Sequence, residues 1–167
     1  MGSIDEVVYL MEEAFRGKGI EETNESQSLV ANLATVDDRA WRTPPETGTR
    51  TIESIVLHVG SCKIMYDDYA FGHAQLTWDD DAVLPWHDGE APRSDAIDWL
   101  TKGHERLMEH VQALTDEDLS RLRLANWGEE RPTRWLLSTL LQHDTYHAGE
   151  INHVRALLAA NDVWRWG

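Results

Sequence analysis

The chain has 167 residues, 41% of them hydrophobic, a size and composition that suit one domain, residues 1–167, with its own core. Thirty acidic against fifteen basic residues give a net charge of −15, which repels phosphate backbones and anionic lipid heads and so argues against nucleic-acid and membrane partners. The opening "MGSIDEVVYL" has no basic region followed by an apolar run, and no later run is long enough to span a bilayer, so the expected location is the cytoplasm. A single cysteine, Cys62, rules out an internal disulfide and leaves any metal site to rely mainly on His and carboxylates.

Apolar residues recur at steps of three and four over long windows, and no alternating run is bounded by turn residues, so the expected fold class is all-α. In "IDEVVYLMEEAF" Ile4, Val8, Met11 and Phe15 share one side, and the glycines of "GKG" then let the chain turn. A second helix is expected to resume near Glu22 and run to Val36. The prolines of "TPPETGTR" bar a helix from crossing, and Thr49 or Thr51 can cap the next one, over roughly residues 51–71. Its stripe is Ile52, Ile55, Val59, Cys62 and Tyr66, with His58 and Met65 alongside, which turns His58 inward or to the stripe's edge.

Residues 72–92 hold prolines, glycines and an acidic triplet, and a long irregular connection of this kind is often a lid or binding loop. Trp78, Trp86 and His87 can line a pocket mouth; equally, the tryptophans can cover helix ends. Ser94 can cap a third long helix with Ile97, Leu100, His104, Leu107, Val111 and Leu114 inward. In "LTDEDL" Thr115 and Asp118 form a variant capping box for a short helical turn. "NWGEERPT" interrupts, after which Thr133 can cap a final helix to about Ala160. Without repeats or sustained heptads, the simplest architecture is a four-helix bundle with a long loop between its second and third helices.

The final helix places imidazoles where leucines are expected. Leu136, Leu140, His143, His147, Ile151, Val154 and Leu158 form its inward stripe. Residues four apart differ by about 40° in direction and about 6 Å in height, so His143 and His147 can aim ring nitrogens at one point. With eight histidines in the chain, chance supplies about 0.4 such pairs, so the spacing needs context. The context is the apolar stripe, where an unpartnered ring loses about 1–3 kcal/mol of hydration. A shared cation satisfies clustered lone pairs together, with His58 as third ligand and His104 or Cys62 as rivals. His153 falls off the face, and His73, His87 and His110 have no supporting periodicity; Asp144 and Tyr146 point away, towards solvent.

"TIESIVLHVGSCKIMYDDY" together with "LLQHDTYHAGEINHVRALL" resembles the DinB-like family of metalloenzymes, over roughly residues 22–160 and including "LATVDDRAWRTPPETGTRTIESIVLHV" and "LTDEDL". The resemblance implies an antiparallel four-helix bundle, commonly a homodimer, holding a divalent cation through His58, His143 and His147. Where the family often has Gln after its last ligand, this chain has Glu150, a candidate catalytic residue that can orient a ligand ring or accept a proton.

Three neutral imidazoles suit zinc or nickel, with iron or manganese also compatible, and a cation with an open position can activate a thiol or water nucleophile. Relatives include thiol-dependent S-transferases, so the first expectation is a transferase that joins a low-molecular-weight thiol to a small electrophilic substrate. A metal-dependent hydrolase of esters or amides is the second. The third is a non-catalytic, stress-related bundle with a closed centre in which His104 or Cys62 is a fourth ligand.

Overall fold

The computed structural model describes residues 2–17, 27–48, 50–87 and 90–160. Helix α1 spans Ser3–Arg16 and buries Met11 and Phe15. It ends because Gly17 adopts φ 65 and returns its N–H to the carbonyls of Glu12 and Glu13, a left-handed closure that glycine takes without steric penalty. Its start is anchored from a distance: Asp116 accepts the Ser3 and Ile4 N–H groups at 3.1 and 2.8 Å.

The helix expected from Glu22 to Val36 begins outside the described residues, and within them it is shorter than its periodicity suggests. Helix α2 covers only Leu29–Leu33. Ser28 Oγ accepts the Ala31 N–H and the Thr35 hydroxyl donates to the Asn32 carbonyl, local bonds that define a start and a stop. A further helix, α3, follows at Asp38–Arg42 with Asp37 accepting the Ala40 N–H at 2.7 Å. It is one turn long, too short for a periodic signature.

Helix α4 spans Ile52–Phe71. Thr51 caps it, with the Ser54 N–H donating to Thr51 Oγ1 and the Thr51 N–H donating to Ser54 Oγ, both at 3.1 Å; Thr49 lies outside the described residues. Helix α5 spans Arg93–Gln112 and packs extensively on α4. Gly60 sets their approach: a Cβ there would lie 2.2 Å from the Trp99 ring. The connection between them is pinned rather than loose, since Val83 is buried and its carbonyl accepts the Ser61 hydroxyl at 2.9 Å. Trp86 packs edge-on against Trp99, covering the helix contact, while Trp78 stays exposed and His87 sits 3.3 Å from Asp81.

Two expected caps are replaced. Pro92 precedes α5 with no side-chain cap, and the Ser94 hydroxyl turns to Asp95. Thr133 is the first residue of α6, Thr133–Ala159, and its hydroxyl bonds backwards, donating to the Arg121 carbonyl and accepting from Arg123 Nε, each at 2.9 Å. The backward bonds fasten α6 to a small ribbon that the sequence pattern did not reveal. Strands β1, Leu122–Leu124, and β2, Glu130–Pro132, pair antiparallel with Arg123 opposite Arg131; three-residue strands are too short to alternate visibly. Before them, only half of the expected capping box forms: the Thr115 N–H and hydroxyl both donate to Asp118 Oδ2, while the Asp118 N–H goes to the Thr115 carbonyl and the short turn over Glu117–Ser120 starts from Asp116 without a side-chain cap.

Among the described residues the structure is therefore helical apart from that ribbon. Its core lies in two clusters, one around Trp41, Ile52, Leu100 and Ile151, the other around Met11, Leu107, Val111 and Leu140. Helix α6 touches α1, α2 and α4, so it buries more than one side. No helix among the described residues is long and apolar enough to cross a membrane.

Candidate metal centre

Helices α4 and α6 bring His58 to His143 and His147. The Nε2 atoms of His58 and His143 lie 3.1 Å apart, and those of His143 and His147 3.2 Å apart. At a metal–nitrogen distance near 2.0–2.1 Å, tetrahedral ligands are about 3.3 Å from one another. The ring planes are tilted by 53° to 74°, so the three rings meet by their nitrogen edges. Among the described residues, these three form a group whose ligand atoms all lie within 4.8 Å of one another and can hold a metal ion.

Protonation favours the same use. Burial pushes His143 down to about 3, with the neighbouring His147 and His58 rings adding to the effect. His58 is also lowered, first by burial and then by His147. Neutral imidazoles present lone pairs, the form a cation requires. For His147 the tautomer follows from its partner: Nδ1 donates to Glu150 Oε2 at 2.7 Å, leaving the Nε2 lone pair for the cluster. Arg50 Nη1 donates to the other oxygen of Glu150 at 2.8 Å. Burial works to raise the Glu150 carboxyl, but the bonds from Arg50 and His147 outweigh it and hold it below its ordinary value. Both oxygens of this carboxylate are thus engaged.

The cluster grades from interior to surface, with His147 buried, His143 intermediate and His58 exposed. One side of it faces solvent. The rival ligands are elsewhere or differently occupied. His104 lies flat against Phe15, ring centroids 3.7 Å apart, with Nε2 3.4 Å from Glu12. Cys62 Sγ is 3.8 Å from both nitrogens of His58, outside the ligand group, and burial pushes its thiol up to about 11. His73, His87 and His153 are exposed, and His110 Nδ1 donates to Asp67 Oδ1 at 2.6 Å.

One expectation is overturned. Asp144 does not point to solvent; it is 1% exposed, and Oδ2 accepts a bond from Lys63 Nζ at 2.6 Å. Lys63 is itself fully buried on α4, its ammonium 4.9 Å from the centroid of the Phe15 ring. The error came from assigning α6 a single inward stripe, whereas α6 is enclosed on several sides. A signal did exist: Lys63 stands four residues after Val59, on the continuation of the apolar positions 52, 56 and 59. A lysine there needs a buried acid. Tyr146, the other residue expected outside, is 67% exposed.

A model of the DinB superfamily matches residues 21–151 of the chain. No curated protein matches it.

Proposed function

The chain belongs to the DinB superfamily, and we propose that it is a divalent-metal-dependent enzyme of the thiol-dependent S-transferase type, with His58, His143 and His147 as the ligands. The observation that carries this reading is the convergence of three Nε2 atoms at 3.1 and 3.2 Å with one side turned to solvent. A divalent cation there, zinc or nickel by its nitrogen donors and iron or manganese as further fits, would supply the positive charge that activates a small thiol. The three rings hold the site, and the exposed edge at His58 admits a thiol and an electrophile. An exposed edge favours an open position over a closed structural centre.

Glu150 belongs to this site, and its engagement with His147 and Arg50 gives it a positioning role: it fixes the ring through which His147 offers its lone pair. The family reading brings with it an antiparallel four-helix bundle that pairs as a homodimer.

Metal analysis of the purified protein and of His58→Ala, His143→Ala and His147→Ala tests the ligand set; occupancy is expected in the wild type and lost in the variants. Conjugation of glutathione or cysteine to an alkyl or aryl halide, read with and without added metal, tests the reaction. Metal occupancy unchanged in all three variants would sink the site, and turnover of esters or amides without any thiol would replace the transferase by a hydrolase.

A further inference from the structure

The seam between α4 and α6 continues beyond the histidines. Tyr66 lies eight residues after His58 on α4 and Trp135 eight residues before His143 on α6, each about 12 Å along its helix. The β1–β2 ribbon sets Trp127 between them, its ring centroid 5.9 Å from Tyr66 and 5.8 Å from Trp135, at 73° and 74°. These three rings brace one another edge to face, yet Trp127 is 47% and Trp135 42% exposed. The indole N–H of Trp127 is already given to Glu129 at 3.0 Å, so what it leaves open is aromatic carbon. The Arg131 guanidinium sits 5.6 Å from the centroid of Trp135 and is paired with Glu129, which holds the edge of the patch in place.

Short side chains stand between this shelf and the histidines along each helix. One turn from each end stand Cys62 on α4 and Thr139 on α6; Cys62 is packed against His58, and the Thr139 hydroxyl turns back to the Trp135 carbonyl at 2.9 Å. Singly exposed apolar residues are ordinary on any surface. Two pre-braced, half-exposed indoles, one of them on a helix that also carries two of the three histidines, form a platform for a flat ring.

We propose that Tyr66, Trp127 and Trp135 form a subsite for the planar aromatic arm of an elongated substrate whose reacting end lies at the three histidines. This inference rests on the proposed metal centre for the position of the reacting end. The subsite itself depends on the rings alone. The substrate class that follows is an electrophile with an aromatic group about 12 Å from the reacting atom, the reach set by eight helical residues.

Two thioethers test it as equilibrium ligands, without turnover: S-(naphthyloxyhexyl)cysteine and S-hexylcysteine, titrated calorimetrically into wild type, Trp127→Ala, Trp135→Ala, Trp127→Phe and His58→Ala. The naphthyl probe is expected to bind wild type about tenfold more tightly than the hexyl probe, the scale of one stacked ring. Both alanine variants should erase the advantage, whereas Trp127→Phe and His58→Ala should keep it. Equal binding of the two probes by wild type, or an advantage that survives both alanine variants, overturns the subsite. Light scattering that shows a dimer converted to monomer by Trp135→Ala also overturns it, by making the shelf a contact between copies. Absence of metal with the aromatic advantage intact would sink the metal centre alone; bound metal without the advantage would sink the subsite alone.

Discussion

Helices α4 and α6 meet through polar groups twice, and the two meetings handle polarity in opposite ways. At the histidine cluster ring nitrogens converge on one point, and one edge reaches solvent. At Lys63 and Asp144 the groups are charged, matched one to one at 2.6 Å, and sealed from water. The sealed pair joins the Lys63 ammonium to Asp144 Oδ2, and the other carboxylate oxygen, Oδ1, stays buried without a partner. Three converging acceptor nitrogens do not complete one another, because neutral rings bring few protons to share among them. The difference teaches where to look for ligand chemistry: in polar groups that converge without satisfying one another, beside polar groups that do.

The sharpest way to break this comparison is to leave one half of the sealed pair alone. Lys63→Ala strands a buried carboxylate and Asp144→Ala a buried ammonium, and each should destabilise the fold by about 3–5 kcal/mol, read from urea unfolding midpoints. A loss under 1 kcal/mol in both would mean that water reaches the pair and that it is not sealed.

Next in size is the open cluster. Glu150→Gln keeps the shape of the side chain but weakens its hold on His147 Nδ1, and loss of such an orienting partner lowers metal affinity about 10–100-fold. The unfolding midpoint of the metal-free protein should hardly move, since Glu150 is on the partly exposed edge of α6. Competition against a chromophoric chelator gives the affinity; an unchanged value would remove Glu150 from the site.

Smaller still is the expected cost of replacing the sealed pair with apolar residues together. Lys63→Met with Asp144→Leu should return stability to within about 1–2 kcal/mol of wild type, because burying two charges offsets most of what their attraction gains. If the double variant is as unstable as the singles, the pair contributes more than its own satisfaction.

A further effect is a pH dependence away from both meetings. Burial holds His104 down to about 4, while an unfolded histidine takes its proton near 6.5. Between those values the unfolded chain carries more protons, so stability falls as pH drops from 6.5 towards 4. Glu12 is held down to about 2, chiefly by its bond with His104, against an ordinary 4.5, and its contribution is lost as pH falls from 4.5 towards 2. In chelator-treated protein, His104→Leu should shrink the upper part of this decline; an unaltered profile between pH 7 and 5 would show that His104 is protonated in the fold.

Much of the long-helix framework was legible in the chain. The apolar steps in α1, α4, α5 and α6 marked their inward faces, "TPPETGTR" marked the break before α4, and Thr51 caps it as expected. His143 and His147 stood out because imidazoles interrupted a leucine stripe. The short elements were hidden: α2 and α3 are five residues each, and β1 and β2 three, lengths at which periodicity carries no signal. The caps of α5 and α6 failed for another reason, since Ser94 and Thr133 found competing partners in Asp95 and Arg121.

By itself the sequence determined which residues belong on one side of each long helix, because a period near 3.6 residues is a property of the local backbone and needs no neighbour. Only tertiary structure decided which sides face which. It placed His58 against His143, closed Lys63 onto Asp144 from 81 residues away, and set Trp127 between rings on two other elements. Those choices follow from packing α6 among several helices at once, and a helix enclosed on several sides has no single stripe to read.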